Sequence, residues 1–366
     1  MRRLASRAAA LAVAALLSLT GCQRPPNPDT PPTLVAEAYA ALPDWSRERA
    51  AEAMPALLLS CGHFAGTSPD KPGVSAGTAG QWRDLCREAR GLAPDDDTGA
   101  RQFFERFFQP YEVRADGNPT ALLTGYYEPE IAGSRQPGPG YTAPIHARPA
   151  DLRSPYFTRA QIEGGALRHK GLELAWLADP TDAFFLQIQG SGRIRLPDGS
   201  TMRAGYAGQN GRPYVPIGRL LVDRGEMTLE EASMQSIRAW LAAHPDRAAG
   251  LMRENPSYVF FRELRDVAAD QGPVGALGVQ LTPGRSLAVD RRFLPLGAPV
   301  FIDTTDPVDG SRLRRLMMAQ DTGGAIRGAL RGDVFFGWGS RAEDLAGRMK
   351  QPGRMWLLLP RGVPGA

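Results

Sequence analysis

From Ala121 onward the chain is broken so often by glycine, proline and aspartate that mostly short extended segments fit between the breaks. ALLTGYYEPEI, AFFLQIQGSGRIRL and SLAVDRRFLPLGAPVFIDT are such segments, and together they predict a β-rich body with closed sheets. One helical interruption is expected, Thr228 to Ala243. It opens on Thr-x-x-Glu, a capping-box pattern, and carries Met234, Ile237, Trp240 and Leu241. Ahead of Ala121 the period changes. Ser46 to Leu59 and Gln81 to Arg90 have helical apolar spacing. Asp97-Thr98 reads as the N-cap of a helix whose Phe103, Phe104, Phe107 and Phe108 form a core-facing stripe. With 366 residues the chain can bury a large core, and two domains are expected rather than one.

The N-terminus addresses the compartment. MRRLASR is a basic leader, and Ala8 to Leu19 form an apolar run too short to span a bilayer comfortably, so residues 1–21 read as a signal peptide. The run ends in Leu19-Thr20-Gly21-Cys22, which resembles a bacterial lipoprotein processing box with Cys22 as the lipidated residue. Gln23 after it favours sorting to the outer membrane, and the prolines that follow make residues 22–33 a tether. Cys61 and Cys86 are then the remaining thiols in an oxidising compartment. They can pair, or serve as small buried apolar side chains on helices. The formal charge of +4 includes Arg2, Arg3 and Arg7, so the processed chain carries only about +1 and no nucleic-acid partner is expected. His63, His146, His169 and His244 never fall at metal-ligand spacing, so neither a metal nor a cofactor is expected.

Several other motifs in the chain lack the context their chemistry needs. Asp-Thr-Gly occurs at Asp97 and Asp321, as in a pepsin-like carboxylate dyad, but Asp97 leads straight into the Phe-rich helix and reads as a cap. Gly190-Ser191-Gly192 has no helix after it and lacks the full dinucleotide pattern. No Gly-x-Ser-x-Gly elbow is present. What remains is AQDTGGAIRGALRGDVFFGWGS, where Asp321 and Asp333 lie among glycines and beside Phe335, Phe336 and Trp338. Apolar neighbours raise a carboxyl pKa, which a general acid working near neutral pH requires. Tyr126, Tyr127, Glu128, Glu130, Gln187, Gln189, Tyr206, Gln209 and Asn210 add the amides, carboxylates and aromatic faces that suit a glycan groove.

GYYEPEI, FFLQIQGSGRIRLPDG, AGYAGQNGRPYVPIGRLLVDRGEM, ENPSYVFF, GVQLTPGRSLAVDRRFLPLG and MAQDTGGAIRGALRGDVFFG occur in this order. The series resembles the motifs of the membrane-bound lytic murein transglycosylase A family, from about Leu122 to Pro360. Its last part is similar to the three-aspartate domain, with Asp290, Asp321 and Asp333 as the aspartates. The resemblance implies a mainly β fold with N-terminal helices. A double-psi β-barrel would be built from residues 34–124 and 266–360, with a second β-barrel inserted over residues 125–265 and the substrate groove between them.

The resemblance also implies a lytic exotransglycosylase that cleaves peptidoglycan glycan strands without water, at the outer membrane and facing the periplasm, with cutting within strands kept open as the other mode. Asp333 is the expected catalytic acid and base, and Asp321 is the second candidate. Tyr127, Glu128, Gln187, Gln189, Gly190, Tyr206, Asn210 and Asp290 are the expected substrate-binding residues. Glu128 and Gln189 have a second reading, in which they tie one domain to the other. Asp290 and Asp321 likewise have a second reading as aspartates that bond backbone amides. Wall-synthesis or divisome proteins are the class of protein partner the resemblance leaves open. A hydrolytic endoglycosidase using a carboxylate pair and a non-catalytic wall-binding lipoprotein remain as alternatives.

Overall fold

The computed structural model describes residues 27–66 and 77–362. The signal peptide, Cys22 and the first part of the expected tether lie outside the described residues. No helix among the described residues is long and apolar enough to cross a membrane.

The first layer is helical. A short strand, β1 (Thr33–Ala36), leads into 3₁₀ turns at Trp45–Arg47 and Ala50–Ala53, then α1 (Met54–Ala65), α2 (Ala79–Ala89) and α3 (Asp97–Phe107). The expected helix from Ser46 therefore begins only at Met54. Pro55 explains this, because a residue without an N–H is accommodated in a first turn and not in a helix interior. The N-cap of α3 is Asp96, which accepts from the Gly99 amide at 2.8 Å. Asp97 instead accepts from the Ala51 amide at 3.0 Å. Phe103, Phe104 and Phe108 are buried with Phe64, Trp82, Phe301 and Trp356, so the phenylalanine stripe does face the core. Cys61 and Cys86 form a disulfide that joins α1 to α2.

Two sheets follow. The larger contains β1, β2 (Phe108–Arg114), β3 (Ala121–Glu128) and the later strands β10 (Ser286–Val289), β11 (Pro299–Thr305), β12 (Arg312–Asp321), β13 (Arg331–Trp338) and β14 (Lys350–Pro360). Pairing runs β14-β11-β12-β10-β13-β3 and returns to β14, which closes a six-stranded barrel, with β1 and β2 added outside it. The β10–β12 and β13–β3 pairs are parallel, and the others around the ring are antiparallel. Leu123, Leu287, Val300, Ile302, Met317, Val334, Met355 and Leu357 fill its core. Gly332 is required by this filling, since a Cβ there would lie 2.8 Å from a Leu123 methyl.

The smaller sheet comes from the intervening chain: β4 (Glu130–Ser134), β5 (Ala143–His146), β6 (Glu173–Leu177), β7 (Ser191–Arg195), β8 (Thr201–Gln209) and β9 (Val259–Glu263), ordered β5-β6-β4-β7-β8-β9. A bridge between Ala147 and Phe261 joins its two edges.

The helices of this part exceed the single one expected. They are α4 (Arg159–Gln161), which continues into a π turn at Ile162–Ala166, α5 (Pro180–Gln189), α6 (Ile217–Asp223), α7 (Met234–Ala243) and α8 (Pro245–Arg253). AFFLQIQ, expected as a strand, is thus helical. Asp179 caps the Thr181 amide at 2.7 Å, Pro180 opens the helix, and Gly190 ends it with φ of 79°. Thr228 and Glu231 do exchange capping bonds, but α7 starts later, on its own Ser233–Ser236 box. A final helix, α9 (Ser340–Arg348), packs on β3 and β13 before β14.

Candidate active site

Four adjacent strands set the site. Thr124 on β3 pairs with Asp333 on β13, Asp333 pairs with Ala288 on β10, and Ala288 pairs with Asp321 on β12. Registered residues of neighbouring strands point to one side, so Thr124, Asp333 and Asp321 share one row on the outer face of the barrel. A bulge makes this possible. The β10–β12 register skips Gln320, whose amide is spent on Ala56 O, Ser60 Oγ and Ser286 Oγ, and Asp321 rather than Gln320 stands beside Ala288. The two aspartates are therefore two strands apart, about 10 Å at the backbone.

Their surroundings differ. Asp321 accepts three hydrogen bonds, from Tyr126 Oη at 2.8 Å and from the Ala276 and Thr322 amides at 2.9 Å each. Asp333 accepts one, from Thr124 Oγ1 at 2.7 Å. Tyr126, Leu281, Ala288 and Phe335 form an apolar cluster along the same row, against which Trp338 packs. Burial, the largest influence, pushes the Asp333 carboxyl up to about 6. Thr124 and the Arg331 charge act downward, and the Asp321 charge acts upward. Burial also raises Asp321, against its three donors. Phe335 thus lies on the Asp333 side, whereas Phe336 packs with Tyr127, Ala342 and Ala346.

The third aspartate is elsewhere in the network. Asp290 is buried and accepts from the Gly328 amide at 2.7 Å and from Arg292, whose Nη2 lies at 2.7 Å. Burial is the largest influence and acts upward, but the bonds from Arg292 and the Gly328 amide outweigh it and the carboxyl lies below its ordinary range. With these partners it has no carboxylate edge to offer a sugar. Arg292 also reaches Asp29 at 2.7 Å and Pro28 O at 3.3 Å, so the last part of the expected tether is docked on the barrel.

Most of the groove candidates are buried and hydrogen-bonded within the fold. Glu128 is fully buried, with Arg193 Nε at 2.9 Å and Arg203 Nη2 at 2.8 Å, and the two arginines also donate to Ala268 O, Ala269 O and Gln271 O on the chain returning to the barrel. Arg193 further stacks 4.0 Å from the Trp338 ring. Gln187 is buried and accepts from Arg159 at 2.9 Å, and Asn210 is wholly buried between Phe157 O, Pro256 O and the Tyr258 amide. Tyr127 is buried, and burial together with the Glu343 carboxylate raises its hydroxyl pKa. Gln189 accepts from the Tyr127 amide at 3.1 Å and so links α5 to β3. Tyr206, 49% exposed, is the aromatic of the set that keeps a free face. It follows Gly205, which pairs with Ser191, and so stands at the same end of β7 and β8 as Gly190.

Sequence reading did not single out Thr124 or Arg331. Strand alternation was the available signal, because Thr124 and Tyr126 share a face, as do Arg331, Asp333 and Phe335.

Comparison with known proteins agrees with this architecture. The MltA specific insert domain matches residues 122–262, and the 3D domain matches residues 285–359. Membrane-bound lytic murein transglycosylase A of Escherichia coli K12 is 37% identical over 260 residues, covering 69% of this chain and 68% of the relative. The chain spans about two thirds of the length of the curated relatives it matches, 66% and 68% in two cases. Among solved structures, a membrane-bound lytic murein transglycosylase from Agrobacterium tumefaciens superposes with a TM-score of 0.82 at 35% identity, covering 90% of this chain and 98% of that one. E. coli MltA with bound chitohexaose superposes with a TM-score of 0.69 at 29% identity, covering 90% and 94%. A closed barrel carrying the three aspartates, a second sheet inserted after β3, and these matches over both parts lead to one assignment: the chain belongs to the membrane-bound lytic murein transglycosylase A family.

Proposed function

We propose that this protein is a lytic transglycosylase that cleaves the β-1,4 bond between N-acetylmuramic acid and N-acetylglucosamine in peptidoglycan without water. Its glycan strand lies between the barrel and the inserted unit, residues 125–265, across the row that carries Asp333. Cys22 anchors it by lipid to the outer membrane, facing the periplasm.

Asp333 serves as both acid and base. With a carboxyl pKa of about 6 it holds its proton in about one molecule in ten at pH 7, more than a hundredfold above an unshifted aspartate. It gives that proton to the departing glycosidic oxygen as the C1–O bond breaks. The C6 hydroxyl of the muramoyl residue then bonds to its own C1, and the hydroxyl proton passes to the Asp333 carboxylate, restoring the acid. The product ends in a 1,6-anhydro ring. Ring closure within one sugar replaces the entropy cost of capturing a water molecule.

The contrast between the two aspartates carries this reading. Asp333 accepts a single hydroxyl bond, whereas Asp321 is held by three donors. A hydrolytic glycosidase needs a second free carboxylate opposite the acid. Asp321 is spent and Glu128 is enclosed by two guanidinium groups, which favours the lytic route. Tyr206, with its exposed ring, is the platform on which a pyranose face rests. Gln189 and Gly190 border the same edge, Tyr127, Glu128, Gln187 and Asn210 stiffen the elements behind it, and Asp290 fixes the Gly328 amide in the loop between Asp321 and Asp333.

The test is product analysis on purified sacculi. The parent protein should release muropeptides with anhydro ends, lighter by one water than reducing ends. Asp333→Asn should lower the rate by about 10²–10⁴-fold. Parent-level release by that variant, or mainly reducing ends from the parent, would overturn the reading.

A further inference from the structure

Two groups beside Asp333 have no role in the proton transfers described above. Thr124 Oγ1 lies 2.7 Å from Asp333 Oδ1, and Arg331 Nη2 lies 3.5 Å from the same hydroxyl oxygen. Arg331 is steadied by Nη1, which donates to Leu122 O at 3.0 Å. The assembly follows from register. Leu122 pairs with Arg331 and Thr124 with Asp333, so one two-residue step on two parallel strands places all four groups.

Hydrogen counting gives this chain of bonds a direction. A guanidinium carries only donors, and a threonine hydroxyl carries a single hydrogen. When Arg331 donates to Oγ1, the hydroxyl hydrogen is left for Asp333 Oδ1. An acid oxygen that accepts this bond does not also carry the acid proton, which is left to Oδ2. The same hydroxyl bond strengthens as the proton departs and Asp333 becomes a carboxylate.

We propose that Thr124 and Arg331 are positioning residues that fix the acid proton on Oδ2 of Asp333, the oxygen that protonates the leaving group and later takes the C6-hydroxyl proton. This rests on Asp333 being the acid and base. Both groups also favour the charged form of Asp333, so removing either raises its pKa. The other charged side chains registered with this row are Asp321 on β12 and Lys350, which pairs with Thr124 from β14, and Tyr126 stands one two-residue step along β3. Between the aspartates β10 presents the uncharged Ala288.

The experiment is steady-state release of anhydro-muropeptides across pH by the parent, Asp333→Asn, Thr124→Val, Thr124→Ser, Arg331→Met and the Val/Met double variant, with folding checked by circular dichroism. Thr124→Val should lose about tenfold in kcat with KM unchanged and shift the alkaline limb to higher pH. Thr124→Ser, which keeps the hydroxyl, should restore both. Arg331→Met should shift the limb in the same direction, and the double variant should lose no more kcat than Thr124→Val, because Arg331 acts on the proton through that hydroxyl. A folded Thr124→Val with the parent's kcat and limb, beside an inactive Asp333→Asn, would overturn the positioning role alone. An active Asp333→Asn would overturn the underlying reading as well. Thr124→Ser behaving like Thr124→Val, or losses that multiply in the double variant, would also count against the proposal.

Discussion

Glu128 and Arg193 form a buried ion pair, Nε to Oε2 at 2.9 Å, at the point where β3 leaves the barrel and the inserted sheet begins. Arg203 completes a triad, and the linker carbonyls of Ala268, Ala269 and Gln271 take up further guanidinium hydrogens. Removing the carboxylate charge leaves two buried cations facing each other. Breaking a buried pair in this way costs about 3–5 kcal/mol. Glu128→Gln should therefore melt well below the parent in a calorimetric scan, while the fraction that stays folded should still make anhydro products. A variant that melts like the parent but loses catalysis would assign Glu128 to the chemistry instead.

The acid should carry a stability cost of its own. Asp333 has a carboxyl pKa raised from 3.8 to about 6, so the folded state binds its proton more tightly than the unfolded chain. This contribution is fully present below pH 3.8 and is lost as pH rises to about 6, amounting to about 3 kcal/mol at most. Asn at this position does not titrate. Asp333→Asn should thus raise Tm by several degrees at pH 7 relative to the parent, with the gain shrinking toward pH 4. An equal Tm difference at both pH values would show that the carboxyl is not destabilised by its burial.

The row of Thr124, Asp333 and Asp321 was only partly legible in the sequence. Asp321 and Asp333 stood out because glycines and aromatics flank them, but their three-to-one difference in hydrogen bonds depends on Tyr126 and Ala276, far away along the chain. Residue type alone does not distinguish a groove position from a buried one. Glu128, Gln187 and Asn210 have polar groups that suit sugars, yet each is satisfied inside the fold, and nothing local distinguishes a buried amide from a ligand-binding one. The strand expected at AFFLQIQ failed for a different reason. Its apolar run fits a buried strand or a helix equally, and the decisive signals were the flanking Asp179-Pro180 and Gly190.

Asp290 should govern the loop between Asp321 and Asp333. Its carboxylate holds the Gly328 amide at 2.7 Å, and through Arg292 it also connects to Asp29 at the docked end of the tether. Arg327, exposed beside Gly328, offers a cleavage point. Asp290→Ala should release the loop and increase tryptic cleavage after Arg327 under native conditions, with a matching fall in activity. Because the folded carboxyl lies below its ordinary range, the same contact should weaken as pH falls below 3.8. Unchanged cleavage in the variant would mean that packing of the loop, and not the Asp290 carboxylate, holds Gly328 in place.

The disulfide between Cys61 and Cys86 joins α1 to α2, the helices that cover one side of the barrel, across a separation of 25 residues. Closing a loop of that length restricts the unfolded chain by about 3–4 kcal/mol in the chain-entropy picture. Both sulfurs are buried beside Phe64 and Trp82, so replacing them with alanine leaves the apolar contacts largely in place. The double variant Cys61→Ala/Cys86→Ala should therefore unfold at lower denaturant, with the row of Thr124, Asp333 and Asp321 intact and kcat close to the parent. Calorimetry of this variant beside the reduced parent separates the two contributions: a loss common to both belongs to the cross-link, and any excess in the alanine variant belongs to packing against Trp82. Loss of catalysis at full stability would instead mean that the helical layer reaches the active row, a connection that Gln320 is placed to make through its bonds to Ala56 and Ser60 of α1.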